Sequence, residues 1–408
     1  MRIEFGEGRK TQMKENNTSK NILLVVPALH QGGFEKVCVM TARLLQPYFG
    51  VTIAVFDGRD LIFDVTGLDV VDLKIPSSPG RIGKILNVFR RARKLKKLKK
   101  DLKIDLAYGF GPTANLSNVM GKGREIIYCG MRSYLDLLDV RRMQFYAAKS
   151  DRLVCCSALI AGEISKRFPE KQVSVLYNPY NLEEIRKKAE KGHEKLPWEN
   201  GEWDKIPLIV SMGREDDVKG FWHLIKAFAE IKRKGYPAHL MIIGEGTFQE
   251  YKKLAEDLGV LQDVFFTGVL KNPYPYLKEA DIYLLSSLNE GFPNALVEAM
   301  ALSVPVLATN CKSGPAEILL KEYRELTLKN YMDADYGILL PEPGREKNLD
   351  AGVLEQEEII MAEAVISFLR DMERCEKYGK RARLRAAEFS DTAYAEKLSK
   401  MMQEDCRV

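Results

Sequence analysis

The chain has 408 residues, 46% hydrophobic and 29% charged, which is enough for two domains with their own cores and excludes a disordered chain. Its net charge of +5 is small, no apolar run approaches the roughly 20 residues that span a bilayer, and the polar stretch 1–20 has no apolar h-region. These features exclude a spanning protein and a secretory signal, and residues 1–20 read as a flexible extension. Seven cysteines without a Cys-x-x-Cys pair predict reduced, buried thiols rather than disulfides or zinc. Four histidines, none at ligand spacing, predict no histidine metal site.

In chain order, Asn21 to Pro27 is a short apolar run with β-branched residues, the pattern of a first parallel strand. It leads through His30-Gln31-Gly32-Gly33 into a predicted helix over Val37 to Leu45. Two glycines between strand and helix permit close backbone approach to a ligand, and a plain tight turn is the competing reading. The spacing is not a dinucleotide fingerprint, because the remaining glycines are missing. Val51 to Phe56 and Val70 to Leu73 predict the next two strands.

A basic segment follows. Between Arg81 and Lys103 there are eleven Lys or Arg and a single Asp, a local net charge of +10. Ile85, Phe89, Ala92, Leu95, Leu98 and Leu102 are spaced as one helical face, predicted to pack on the sheet, and Arg90, Arg91, Arg93, Lys94, Lys96, Lys97, Lys99 and Lys100 occupy the others. Salt-bridge lacing would use both signs, so the excess of one sign points to an anionic membrane surface. No aromatic interleaving supports stacking on single strands, and nucleic acid is not predicted as a partner.

Ile104 to Phe110 and Glu125 to Ser133 predict further strands, the latter with a polar tip at Arg132-Ser133. Arg152 to Ser157 and Val173 to Pro179 complete a first Rossmann-like domain over 21–180. The Lys- and Glu-rich stretch 181–204 reads as a linker. A second alternation starts at Leu208, over 205–380. Arg214 and Lys219 lie in its first loop and at the next helix start, Gly244-Glu245-Gly246 follows the strand Ala238 to Ile243 as a Gly-x-Gly with Gln249 where a dinucleotide fold has its third glycine, and Phe266-Thr267-Gly268 lies further on. The apolar run Ile282 to Leu285 then enters Asn289-Glu290-Gly291-Phe292-Pro293-Asn294-Ala295-Leu296-Val297-Glu298, with Pro293 predicted at the first helical position. A strand, a Gly turn and a helix leave free N–H groups facing an anion, while Glu290 and Glu298 suit hydroxyls, which together suggest a sugar nucleotide. Asp333-Ala334-Asp335 spells a metal-binding Asp-x-Asp of another fold, and chance is the better explanation. The segment 381–408, with Tyr394, Leu398 and Met401 as an apolar stripe, is predicted as a final helix.

Glu290-Gly291-Phe292-Pro293 with Glu298 resembles the Glu-x(7)-Glu motif of the retaining glycosyltransferases of family 4. Gly213-Arg214 with Lys219-Gly220, Gly244-Glu245-Gly246 and Phe266-Thr267-Gly268 resemble three more of the family's elements, in the same order. The resemblance implies an α/β GT-B fold, two Rossmann-like domains facing a central cleft, with the final helix returning to the first domain. It implies a nucleotide sugar, UDP-linked, as donor, a lipid-linked or saccharide acceptor, and no cofactor or metal. Arg214, Lys219 and Glu290 would be catalytic. Gly33, Gly268, Leu270, Gly291, Phe292, Asn294, Ala295, Leu296 and Glu298 would join them in donor binding, with Glu298 on the ribose and Glu290 on the sugar. Many family members carry a His where this chain has Arg132-Ser133. Arg132 and Gly32 are acceptor candidates, and a structural ion pair is the competing reading for Arg132. The setting implied is cell-surface polysaccharide or glycan assembly by a cytoplasmic protein, peripheral on the inner face of the membrane. A UDP-sugar epimerase and a non-catalytic sugar-nucleotide or lipid-surface binder remain as alternatives, and whether any side chain acts as covalent nucleophile stays open.

Overall fold

The computed structural model describes residues 20–29, 33–59, 61–192 and 206–406. Two compact units divide the chain, Met1–Pro179 with Asp391–Val408, and Tyr180–Ser390. In the first, β1 (Asn21–Val26) is followed by α1 (Gly33–Leu45), β2 (Gly50–Val55), β3 (Asp69–Asp72) and α2 (Arg81–Asp101). Then come β4 (Leu106–Phe110), α3 (Pro112–Met120), β5 (Ile126–Met131), α4 (Val140–Lys149), β6 (Arg152–Cys155), α5 (Ala158–Arg167) and β7 (Val173–Val175). The sheet order is β3-β2-β1-β4-β5-β6-β7, all parallel. Continuous apolar strands such as Ile22–Val26 fit a sheet covered on both faces, and those five residues are fully buried.

The second unit runs α6 (Leu182–Ala189), β8 (Leu208–Met212), α7 (Phe221–Arg233), β9 (His239–Ile243), α8 (Gln249–Asp257), β10 (Val264–Gly268), α9 (Tyr274–Lys278), β11 (Ile282–Leu285) and α10 (Asn294–Ala301). It continues with β12 (Val306–Thr309), α11 (Pro315–Leu319), β13 (Met332–Asp333), β14 (Ile338–Leu340), α12 (Gln356–Leu369) and α13 (Met372–Ala386). Its sheet order is β10-β9-β8-β11-β12-β14-β13, parallel except for the antiparallel β13–β14 pair. The strand order reverses between β8 and β11, so the loops leaving those two strands border the crevice where ligands bind in open α/β sheets. Two parallel-dominated α/β units are therefore present, as the alternation of strands and helices predicts. Helix α6 packs on α9 and α10 within the second unit.

The last helix, α14 (Asp391–Asp405), closes the first unit. Tyr394, Leu398, Met401 and Met402 enter the core beside Val37 and Leu45. Tyr394 shares a 2.7 Å hydrogen bond with Thr41, and Asp405 takes two 2.8 Å bonds from the Arg152 guanidinium. Such a bidentate pair fixes the helix end in direction as well as position. All seven cysteines are free thiols, six of them buried. Among the described residues no helix is long and apolar enough to cross a membrane.

Helix α2 departs from the face read out of its periodicity. Leu95 and Ala92 are buried, but Ile85 and Phe89 are each 57% exposed. Asn87, Arg91 and Lys99 turn inward instead, at 4%, 7% and 3% exposure. Each is satisfied there: Arg91 donates to the Ile75 carbonyl at 2.8 Å and lies over the Phe56 ring, and Asn87 donates to the Pro76 carbonyl at 2.7 Å. Lys99 sits 2.8 Å from Glu125 in a pair that is almost fully buried. Positions 87, 91, 95 and 99 are as helical in spacing as 85, 89 and 92, so the pattern could not choose between the faces.

His239, at the start of β9, is buried with Nδ1 3.4 Å from Asp263. Burial pulls its pKa down to about 4, with Asp263 opposing and Lys232 adding to the shift. The folded value lies below the unfolded one, so this contribution is complete above about pH 6.5 and is lost as the pH falls toward 4. Urea titrations followed by tryptophan fluorescence should lose midpoint over that window, and His239→Gln should flatten the loss. An identical pH profile in the variant would refute the assignment.

Candidate active site

Three glycines let the ends of β8, β9 and β10 meet. Gly213 N–H donates to the Ile243 carbonyl at 2.9 Å, and Gly244 N–H to the Gly268 carbonyl at 3.1 Å. A Cβ on Gly244 would lie 1.8 Å from the Gly213 oxygen, so no side chain is possible there. The adjoining Glu215 accepts from the backbone N–H groups of Thr247 and Phe248 at 2.7 and 2.9 Å. The turn after Gly244-Glu245-Gly246 is thus filled by the chain's own carboxylate rather than left for an anion.

The loops after β8 and β11 are tied together at the strand-order reversal. Leu288 N–H donates to the Val218 carbonyl at 2.8 Å, and Ser286 Oγ to the Lys219 carbonyl at 2.8 Å. Gly220 allows this approach: its φ is 60°, and a Cβ would sit 2.4 Å from the Ser286 oxygen. The Lys219 stem runs over Gly213, where an added Cβ would be 3.2 Å from Cδ and Cε. Its Nζ donates to Glu290 Oε1 at 2.7 Å, and Ser287 Oγ donates to the same oxygen at 2.7 Å. The pair is 24% and 11% exposed, dry enough to hold its geometry and open enough to meet a ligand. Arg214 is exposed, and among the described residues its guanidinium has no ion-pair partner.

Helix α10 begins one residue later than the sequence predicts. Pro293 has φ −69° but an extended ψ of 104°, so it is the N-cap, and no side chain caps the first turn. No side chain occupies the N-terminal turn of α10, the kind of helix start at which backbone N–H groups meet anions. Ser313 Oγ donates to the Gly291 carbonyl at 2.7 Å, and Gly314 leaves room for Pro293, whose Cδ would be 2.5 Å from an added Cβ. Phe292 is buried against Phe389, Leu296 is fully buried, and Asn294 Oδ1 accepts from Tyr180 at 2.7 Å, so these side chains hold the turn. Ala295 is half-buried beside them. Glu298 is buried with the Tyr274 hydroxyl 3.5 Å from Oε1. Gly268 has φ 68°, and Leu270, two residues on, is half-buried.

Burial, and then the charge of Glu290, push the Cys311 thiol and the Tyr283 hydroxyl well above their ordinary ranges. Cys311 therefore stays a neutral thiol and is no nucleophile. His223 lies next to the site on α7. Nδ1 is 2.7 Å from Glu358 and Nε2 2.8 Å from the Gly344 carbonyl. A carbonyl only accepts, so Nε2 carries a proton. His223, Glu355 and Glu358 come close enough to share an ion, yet both ring nitrogens are already engaged. Asp333 pairs with Arg374, and Asp335 caps the Lys321 N–H at 2.9 Å, so the Asp-x-Asp carboxylates are structural.

In the first unit, Gly33 opens α1 and is exposed, and Gly32 lies outside the described residues. Arg132 donates to the Tyr108 hydroxyl at 2.6 Å and to Asn178 at 3.2 Å, and stacks over Phe110. Its partners are neutral groups, not the carboxylate of an ion pair. Sequence reasoning missed Ser287, Tyr274 and Glu215. Ser287 stands three residues before Glu290 at a strand end, which was a readable signal, whereas Tyr274 and Glu215 reach their partners across the fold.

Residues 193–336 match the family model of the glycosyl transferases, group 1. An uncharacterized glycosyltransferase of Methanocaldococcus jannaschii is 31% identical over 215 residues, 51% of this chain and 52% of that protein. The Campylobacter jejuni N-acetylgalactosamine-N,N'-diacetylbacillosaminyl-diphospho-undecaprenol 4-alpha-N-acetylgalactosaminyltransferase is 34% identical over 149 residues, 36% of this chain and 38% of that enzyme. The match thus spans about half or less of these curated relatives. The crystal structure of Anabaena HepE with UDP and glucose aligns over 94% of this chain and all of that one, with a TM-score of 0.69 at 15% identity. The fold is the two-domain α/β GT-B fold.

Gly220→Ala should cost about 1–3 kcal/mol, from the left-handed backbone and the contact with Ser286. Denaturation followed by fluorescence measures it, and unchanged stability would refute the lacing of the two loops.

Proposed function

We propose that this chain, whose second unit carries the group 1 glycosyl transferase match, is a retaining glycosyltransferase. It moves a sugar from a nucleotide sugar, UDP-linked, to a lipid-linked saccharide in cell-surface glycan assembly. The observation that carries the reading is the Lys219–Glu290–Ser287 cluster, fixed between two loops at the strand-order reversal. UDP in the Anabaena structure and the diphospho-undecaprenol named for the Campylobacter enzyme support the donor and acceptor classes.

Lys219 spends one of its three N–H bonds on Glu290, leaving two for diphosphate oxygens. Arg214 supplies a second, always charged contact. The helix-start donors from Phe292 to Leu296 add to these. As the C1–O bond to phosphate breaks, negative charge grows on the leaving diphosphate, and these groups stabilise it without a metal. Each such donor contributes a few kcal/mol. The acceptor oxygen bonds to C1 on the same face, and its proton passes to the departing phosphate oxygen. Glu290 Oε2, which has no hydrogen-bond partner among the described residues, accepts from a sugar hydroxyl and orients the ring. Glu298 accepts from the ribose, with the backbone at Gly268 and Leu270 beside the base. The protein works in the cytoplasm, peripheral on the inner membrane face, where α2 meets the anionic surface.

A panel of UDP-, GDP- and ADP-sugars tests the donor. A ligand at a hundred times its dissociation constant adds about 2.7 kcal/mol, visible as a shift in melting temperature. UDP-sugars should produce it, a shift with another nucleotide class would correct the donor, and none with any would sink the reading. In a transfer assay Lys219→Ala should lower kcat about 10²–10³-fold with little change in melting temperature, Glu298→Ala should weaken donor binding, and EDTA should leave turnover unchanged. Wild-type turnover in both variants would overturn the site.

A further inference from the structure

Four large apolar side chains crowd the first nine residues of α2 and face solvent: Ile82 at 76%, Ile85 at 57%, Leu86 at 49% and Phe89 at 57% exposure. They recur at i, i+3, i+4 and i+7, one face of the helix. Carried on through the last turns, the same face bears Arg93, Lys96 and Lys100, all exposed. One side of a 21-residue helix is therefore apolar in its first half and cationic in its second. Single exposed apolar residues are ordinary on a protein surface, but a contiguous set beside a field of one sign marks a contact surface.

Beside this face lies a groove of about 670 Å³ lined by Lys74, Ser78, Arg90, Arg93, Lys94 and Lys97. Its wall is fixed: Asn87 donates to Ser78 Oγ at 2.8 Å, and Lys94 Nζ to the Leu73 carbonyl at 2.6 Å. Among the described residues, Arg90, Arg93, Lys96, Lys97 and Lys100 have no ion-pair partner. A second copy of the chain on the stripe would bring a second set of these cations to the same contact. Nucleic acid would pair with the cations but gain little from three aliphatic side chains. An anionic bilayer offers phosphates and hydrocarbon at adjacent depths, which is the charge and polarity complement of both halves.

We infer that α2 is an interfacial anchor: Ile82, Ile85, Leu86 and Phe89 enter the acyl boundary, and the groove cations hold the phosphate of an anionic phospholipid headgroup. The inference deepens the peripheral-membrane part of the reading above and rests on it. Charge attraction alone is screened by salt, whereas an inserted apolar face is not. The two therefore separate in experiment.

The test is co-sedimentation of the full chain with phosphatidylcholine vesicles, with and without phosphatidylglycerol, at low and high salt. Wild type should bind the mixed vesicles and keep part of that binding at high salt. Replacing Ile82, Ile85, Leu86 and Phe89 together by Ser should remove the salt-resistant part, at least tenfold in affinity. Because these side chains are exposed, the variant should keep its melting temperature and its shift with nucleotide sugar. Arg90→Gln and Arg93→Gln should each cost about fivefold and erode the preference for phosphatidylglycerol. Full release of wild type by salt, with the Ser variant binding equally well, would overturn insertion and leave a charge-only membrane contact. Equal binding to both vesicles would overturn the headgroup site. No binding to either would overturn the inference together with the membrane part of the functional reading, leaving the donor site to its own test. A wild-type dimer in sedimentation equilibrium that the Ser variant lacks would assign the stripe to a second copy and overturn the lipid assignment.

Discussion

The bond from Lys219 Nζ to Glu290 Oε1 depends on two loops meeting at one point of the second sheet. An amine and a carboxylate 71 positions apart stay within 2.7 Å only if their backbones are fixed, and here they are. The Leu288–Val218 and Ser286–Lys219 bonds close the loops, Gly220 removes the Cβ that would hold them apart, and Gly213 makes room for the lysine stem. Parallel sheets leave such loops at their strand ends, and the reversal of order between β8 and β11 separates the helices there enough to admit a ligand. The site is a consequence of topology first and of side chains second.

Charge is distributed around that point with a division of labour. Glu215 spends its carboxylate on the turn after β9, so a motif that looks like an anion cradle is already filled. At the start of α10 no side chain caps the first turn. Burial, with the nearby Glu290 carboxylate adding to it, pushes the Cys311 thiol and the Tyr283 hydroxyl above their ordinary ranges.

The first unit uses several of its charges for architecture. Lys99 is buried on Glu125, Arg91 on a carbonyl and a ring, Arg152 on Asp405, and Arg132 among neutral oxygens. Subtracting these inward residues from the basic segment sharpens what is left. Of the remaining cations of α2, Arg93, Lys96 and Lys100 share one face with its exposed apolar residues, a combination that a count of charges could not reveal.

Sequence alone determined the alternation of strands and helices and marked Glu290, Glu298, Arg214 and Lys219 as candidate site residues. Those features are local: a β-branched apolar run, a glycine before a helix, and a spacing of eight between two carboxylates are written within a few residues of one another. Only the tertiary structure decided which face of α2 is buried, that Glu215 closes a turn 32 positions away, that Pro293 caps α10 rather than starting it, and that Ser287 and Lys219 converge on one oxygen. Helical spacing is satisfied equally by 85–89–92 and by 87–91–95, and which one turns inward depends on the carbonyls and rings supplied by the Leu73–Ser78 stretch and by Phe56. Partners brought together by strand order leave no mark at either position in the chain, because the contact energy belongs to the pair and the pair exists only in the fold.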